Sequence, residues 1–338
     1  MAALLFVNSA RLCEAQPAIG IEQKLQQAIS TYQPAVDNAR SILLKNVPKE
    51  DARRIAKATF EIVPSDAPMG FSTISVENGL ISISVGGLRT EAMIVEASLI
   101  NSVDNDFFLN YMIYLRRQHL KGELGLFPNE FLGVRNDKFV DSSYMQKLYG
   151  GSGNIDSPLK KLGMSPKLAL QATVISSNAM VRCAYLFTMA HEACHLVNND
   201  QMEPLPNENR AAYLVRLRQQ EERADAYAIA VMRRSNLPTY CMGPLFLGLE
   251  LVYEPRNEPL ERNPHPPDIA RMVKICKAAL VSDIPLIKGV PSMQRDAQEN
   301  LPLLIDQLER FGEEGQMLKE RDNLLRKGGP KTVPRLHP

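Results

Sequence analysis

Apolar residues recur at helical spacing along most of this chain. Ile21, Leu25, Ala28, Ile29, Tyr32, Val36 and Ala39 form one stripe, interrupted at Pro34, and residues 51–57 read as a second helical piece. From Thr59 to Val63 the pattern turns strand-like. Two alternating arms then flank Glu77-Asn78-Gly79, and Asn-Gly between such arms predicts a hairpin because both residues tolerate positive φ. Phe107, Phe108, Tyr111, Met112 and Leu115 predict a helix over 104–118. After Ser176-Ser177-Asn178, which can cap a helix, the chain is apolar nearly all round through Val197 and stops at Asn198-Asn199-Asp200, the pattern of a core helix. A further helix is expected from Asn207 to about Ser235, ended by Asn236-Leu237-Pro238.

Between these elements, residues 121–160 are rich in Gly, Asn and Asp and read as a lid or surface loop. Its cluster Gly150-Gly151-Ser152-Gly153 lacks the lysine and spacing of a phosphate loop. A proline-rich connector over 254–267 leads to His265, and two amphipathic helices follow Ser292 before a basic tail from Lys327. No repeat period emerges.

Composition narrows the class. The 338 residues suffice for one large core or two modest domains, and the net charge of +1 gives no electrostatic argument for nucleic acid or a membrane surface. No stretch approaches eighteen uninterrupted apolar residues, so no membrane span is expected. The five cysteines (13, 183, 194, 241 and 276) contain no C-x-x-C pair, which indicates neither a disulfide framework nor a thiolate metal site. Cys183, Cys194 and Cys276 read as small core residues. Residues 1–15 resemble the tail of a secretory signal without a basic start. The compartment therefore stays open between export and cytoplasm.

The chemistry concentrates at His191-Glu192-Ala193-Cys194-His195. Two histidines four apart on a helix project from one face, so both imidazoles can reach a single metal ion. Glu192 lies about 100° round the helix, placed to take a proton from water without ligating the metal. Zinc with one open position needs a third protein ligand, and Glu221 is the candidate. Asp225, one turn on from Glu221, can accept the free N–H of a ligating histidine. Taken alone, Glu221 and Asp225 also fit an ordinary charged helix face, and Glu222, Arg218 and Arg223 are assigned to a solvated one.

H-E-x-x-H followed by E-x-x-A-D resembles the glutamate-zincins, and among them the superfamily of CAAX prenyl endopeptidases and HtpX-like peptidases. The soluble Lit-type phage-exclusion peptidases are a second relative. Asn263-Pro264-His265-Pro266-Pro267-Asp268-Ile269-Ala270-Arg271 matches the family's His-Pro step with an arginine six positions later, and Phe71–Leu88 is similar to its substrate-holding hairpin. The resemblance covers roughly 60–88 and 176–280. Two features depart from it: almost ninety residues separate Leu88 from Ser177, and no further histidine follows the H-E-x-x-H helix closely.

The resemblance implies a mostly helical α+β fold, a zincin-like peptidase domain with a small antiparallel sheet and a two-helix metal site. It would span residues 58–280 with an insertion at about 120–170, between an N-terminal helical segment (1–57) and C-terminal helices with a basic tail (281–338). It further implies a zinc-dependent endopeptidase acting on protein or peptide, with zinc on His191, His195 and Glu221 and with Glu192 as general base. The edge strand of the hairpin, residues 72–76 or 80–85, would align the substrate. His265 would donate to the developing oxyanion or else only cap its loop, and Arg271 would anchor that loop to an acidic residue. The alternative is a catalytically inactive zinc protein that binds peptides or regulates. Glu192 discriminates, since a structural site has no use for an acid there.

Overall fold

A computed structural model of the chain describes residues 21–65, 73–75, 79–101, 107–121, 166–237, 239–253 and 268–281, together with most of 299–309. The Gly-rich segment 121–160 beyond residue 121, the Pro-rich connector with His265, and the basic tail lie outside the described residues.

The fold is mostly helical. Helix α1 (Ile21–Asn46) runs through Pro34 without a break. Proline removes one backbone donor, but Tyr32, Val36, Ala39 and Leu43 on either side of it are all buried in the common core, and that packing holds the helix together. Helix α2 (Lys49–Lys57) leads into strand β1 (Thr59–Val63). The hairpin arms form β2 (Thr73–Ser75) and β3 (Leu80–Ser84), with Gly79 at φ +60° where the turn ends.

The sheet corrects two expectations. Its order is β1-β3-β2, with β2 antiparallel to β3 but β1 parallel to it, so it is not an antiparallel sheet. Alternation within a strand says which face is buried and nothing about a neighbour's direction. Strand β3 is paired on both sides and offers no free edge, which leaves β2, among the described residues, as the hairpin arm able to accept an added strand. The second arm is also shorter than the stretch to Leu88. Ser84 Oγ accepts the Gly87 N–H at 2.9 Å, an N-cap that starts helix α3 (Val85–Asn101) directly from the strand.

Helix α4 (Phe107–Leu120) buries the expected face, Phe107, Phe108, Tyr111, Met112 and Leu115. Helix α5 (Pro166–Asn198) starts ten residues before the expected caps. Proline suits a first helical position, so the helix opens there and carries Ser176-Ser177-Asn178 inside it. Helix α6 (Arg210–Arg234) is capped by Asn209, whose side chain accepts the Ala212 N–H at 2.9 Å. A short 3₁₀ turn (Thr239–Met242) precedes α7 (Gly243–Tyr253), and α8 (Asp268–Leu280) closes the described core.

Helix α5 is the axis of the molecule: α1, α3 and α6 all pack against it, and β2 lies alongside. Tyr185 on α5 meets Tyr32 of α1 edge to face and donates its hydroxyl to the Leu88 carbonyl of α3 at 2.9 Å. Helices α7 and α3 approach so closely that a Cβ on Gly248 would lie 2.3 Å from Ile94 Cγ2. Among the described residues, no helix is long and apolar enough to cross a membrane.

Candidate metal centre

Around residues 183–194, α5 is buried on almost every side: Ala184, Leu186, Met189, Ala190, Ala193 and Cys194 are solvent-inaccessible. Against it lies α6, whose inward face is Leu214, Leu217, Gln220, Glu221, Ala224, Asp225, Ala228, Val231 and Met232. The small side chains of Ala193, Ala224 and Ala228 are fully buried at this contact and let the two backbones come close. Five ionisable side chains are enclosed with them: His191, His195, Asp200, Glu221 and Asp225 are each at most 7 % exposed. Burying such groups is costly unless they are paired or bound to a cation.

They are paired in a specific way. His191 Nε2 stands 3.3 Å from His195 Nε2 and 3.3 Å from Glu221 Oε2, and His195 Nε2 stands 3.5 Å from Glu221 Oε1. Metal bonds of roughly 2.0–2.1 Å at tetrahedral angles put neighbouring ligand atoms roughly 3.3–3.4 Å apart. The separation of the two histidine nitrogens matches this, each of them lies near a different oxygen of Glu221, and the group could hold a metal ion.

The far ring nitrogens are each held by a carboxylate. His191 Nδ1 lies 2.9 Å from Asp225 Oδ1, and His195 Nδ1 lies 2.8 Å from Asp200 Oδ2. An ionised carboxylate only accepts, so each ring donates its Nδ1–H and turns the Nε2 lone pair toward the centre. Arg271 grips Asp225 with two hydrogen bonds of 2.8 Å, and its guanidinium lies over the Phe246 ring at 4.3 Å. Arg223 donates to Asp200 Oδ1.

The electrostatics follow from this network. Burial alone would push Asp225 up, but hydrogen bonds from His191 and Arg271 outweigh it and hold the carboxyl at about 2. Burial likewise pulls His191 down, yet its bonds to Asp225 and Glu221 raise it to about 9. Asp200 is lowered too: hydrogen bonds from His195 and Arg223 overcome its desolvation. The buried carboxylates Asp200, Glu221 and Asp225 outnumber the two guanidiniums that pair with them, Arg223 and Arg271, so with neutral histidines a net negative charge remains that a cation would offset.

Of the residues singled out in the sequence, His191, His195 and Glu221 converge, Asp225 stands behind His191, and Arg271 is bonded to Asp225. Glu192 is half-buried beside them. His265 lies outside the described residues. Cys194 is buried beside the Arg223–Asp200 pair, with its Sγ 3.2 Å from Asn198 Nδ2, and burial pushes its thiol up to about 11.

Arg223 lies on the exposed face as expected, with its side chain 46 % exposed, but its head also reaches Asp200. Asp200, expected only to help stop the helix, joins the site. Its signal was the Asn-Asp pair itself, because an asparagine that accepts positive φ (Asn199, φ 55°) reverses the chain and points the next side chain back along the helix.

No family model, no curated protein and no solved structure matches the chain.

Proposed function

We propose that the chain is a zinc-dependent endopeptidase. One observation carries the reading: two buried histidine nitrogens 3.3 Å apart on one helix face a buried carboxylate of a second helix, whose two oxygens lie 3.3 and 3.5 Å from them, and a further glutamate stands between the two histidines in the chain. The donor set of two imidazoles and one carboxylate is that of zinc sites which keep a position open for reaction. Bound there, zinc would act as a Lewis acid, polarising a carbonyl and bringing the ionisation of water toward neutrality.

The chain's own residues supply the rest. Glu192, half-buried on the helix between the two histidines, takes the proton of the attacking water and later returns it to the leaving amine. Asp225 and Asp200 hold the histidine rings in the tautomer that presents Nε2. The outer edge of β2, unpaired among the described residues and beside α5, is the place for an extended peptide to add as a further strand, its backbone aligned by main-chain hydrogen bonds. The zincin-like relationship to CAAX-type and HtpX-like peptidases rests on the motifs H-E-x-x-H, E-x-x-A-D and His-Pro with Arg271. The role of His265 as oxyanion donor rests on that likeness alone.

The test is hydrolysis of a mixed peptide library by the zinc-loaded protein, read by mass spectrometry beside the Glu192→Gln variant. New termini that appear with the wild type and vanish with the variant are expected. Metal binding without any cleavage would instead favour a non-catalytic zinc protein.

A further inference from the structure

We propose that Asp200 is a positioning residue for the metal, orienting His195 as Asp225 orients His191, and that Arg223 clamps it. The proposal rests on the metal-centre reading above.

The helix end shows why the carboxylate is available for this task. Helix α5 closes with the Asn199 N–H on the Leu196 carbonyl at 3.2 Å and the Asp200 N–H on the His195 carbonyl at 3.0 Å, while Asn199 adopts positive φ. Both closing bonds are made by backbone groups. Any residue but proline at position 200 would complete the cap, so the acid itself is not needed to end the helix. The reversal instead aims the side chain back beneath the last turn, where Oδ2 meets His195 Nδ1 at 2.8 Å.

A 5 % exposed carboxylate needs compensation, and both of its oxygens have it: Oδ2 from His195 and Oδ1 from Arg223. The two histidines are thus served by matching chains, His191–Asp225–Arg271 and His195–Asp200–Arg223. The chains are built from different sequence. Asp225 comes from α6 and its arginine from α8, whereas Asp200 comes from the end of the histidine helix and its arginine from α6. Arg223 stands on α6 between Glu221 and Asp225, so the helix that delivers the third ligand also secures the second histidine. Without Asp200, His195 could flip its ring or exchange tautomers, and only one of those states turns an Nε2 lone pair to the centre.

The test is zinc affinity by competition with a chromophoric chelator, for wild type, Asp200→Ala, Asp200→Asn, Arg223→Ala and Glu222→Ala. The last is an exposed control that pairs, among the described residues, with Lys274 at 2.9 Å. Asp200→Ala should bind zinc ~10–100-fold more weakly, with Asp200→Asn intermediate because its amide oxygen still accepts the bond. In proton NMR of the zinc-loaded protein, one downfield imidazole N–H resonance should disappear in Asp200→Ala and a different one in Asp225→Ala, a signature that a residue serving only to end the helix would not give. Unchanged affinity and resonances in Asp200→Ala overturn the proposal and leave the metal centre standing, whereas absence of zinc binding by the wild type overturns both. Should Asp200→Ala fail to fold, Asp200→Asn decides: weaker zinc binding at unchanged melting temperature supports the role, and wild-type affinity refutes it.

Discussion

Arg271 and Asp225 are joined by two parallel hydrogen bonds of 2.8 Å, although forty-six residues separate them in the chain. The guanidinium fork matches the carboxylate geometry, and both groups are largely shielded from water. This pair locks α8 to α6 directly behind His191. Arg271→Ala removes the fork and leaves a buried carboxylate with only its histidine, so we expect a loss of about 2–4 kcal/mol in stability together with weaker metal binding. Arg271→Lys should restore only part of both, because an ammonium cannot make the paired contact. Chemical denaturation of the three proteins checks this.

The ligands and the base should separate cleanly. His191→Ala, His195→Ala and Glu221→Gln each alter one member of the His191–His195–Glu221 group and should lower zinc content below one ion per chain. Glu192→Gln should keep a full complement of zinc and lose ~10²–10⁴-fold in cleavage rate. Elemental analysis of the purified variants, compared with their peptidase rates, tests the division. Equal zinc loss in Glu192→Gln and Glu221→Gln would mean that the roles are misassigned.

Zinc binding should release a proton. In the metal-free protein the bonds to Asp225 and Glu221 hold His191 protonated up to about pH 9, whereas a metal ligand must be neutral. Below that pH each unit of acidification should therefore weaken apparent affinity about tenfold. Titration calorimetry in buffers of different ionisation enthalpy, between pH 6.5 and 8, measures the protons released. A value near zero would show that His191 is already neutral.

Glu91 should make stability depend on pH in the opposite sense to most carboxylates. It is buried on α3, accepts the Thr188 hydroxyl at 3.0 Å, and its Oε2 has no hydrogen-bond partner. Burial raises it to about 8, against the small lowering from Thr188. Between pH 4.5, where the unfolded chain ionises, and pH 8, the unfolded state has lost a proton that the folded state keeps. Stability from this group therefore falls as pH rises, by about 1.4 kcal/mol per unit at most, and levels off above pH 8. Glu91→Gln should flatten that slope, as read from melting temperatures across pH 5–8 in the presence of chelator.

Gly248 tests the packing of α7 against α3. A methyl group there would strike Ile94 Cγ2, so Gly248→Ala should destabilise by about 1–3 kcal/mol unless Ile94 is shortened. The double variant Gly248→Ala with Ile94→Val should recover part of the loss, a coupling that thermal melts can measure.

Local information determined a large part of this molecule. Helical periodicity placed α4 with its buried face and α6 with much of its own, though Ala211, Ala212 and Val215 of that pattern are exposed, alternation placed β1, and the four-residue spacings of His191 with His195 and Glu221 with Asp225 put each pair on one helix face. These are properties of a single element, written in neighbouring residues. The tertiary structure decided what no single element contains: that β1 runs parallel to β3, that Ser84 turns the strand straight into α3, that Glu221 meets both histidines, and that Arg223 leaves its exposed helix face for Asp200. Each of these joins segments whose sequence periods are independent, so their relation arises only when burial and charge pairing bring the segments together. Asp200 lies between the two cases. The chain reversal at Asn199 was legible, but the buried imidazole that gives the next carboxylate its partner becomes evident only once the helix end is folded back on itself.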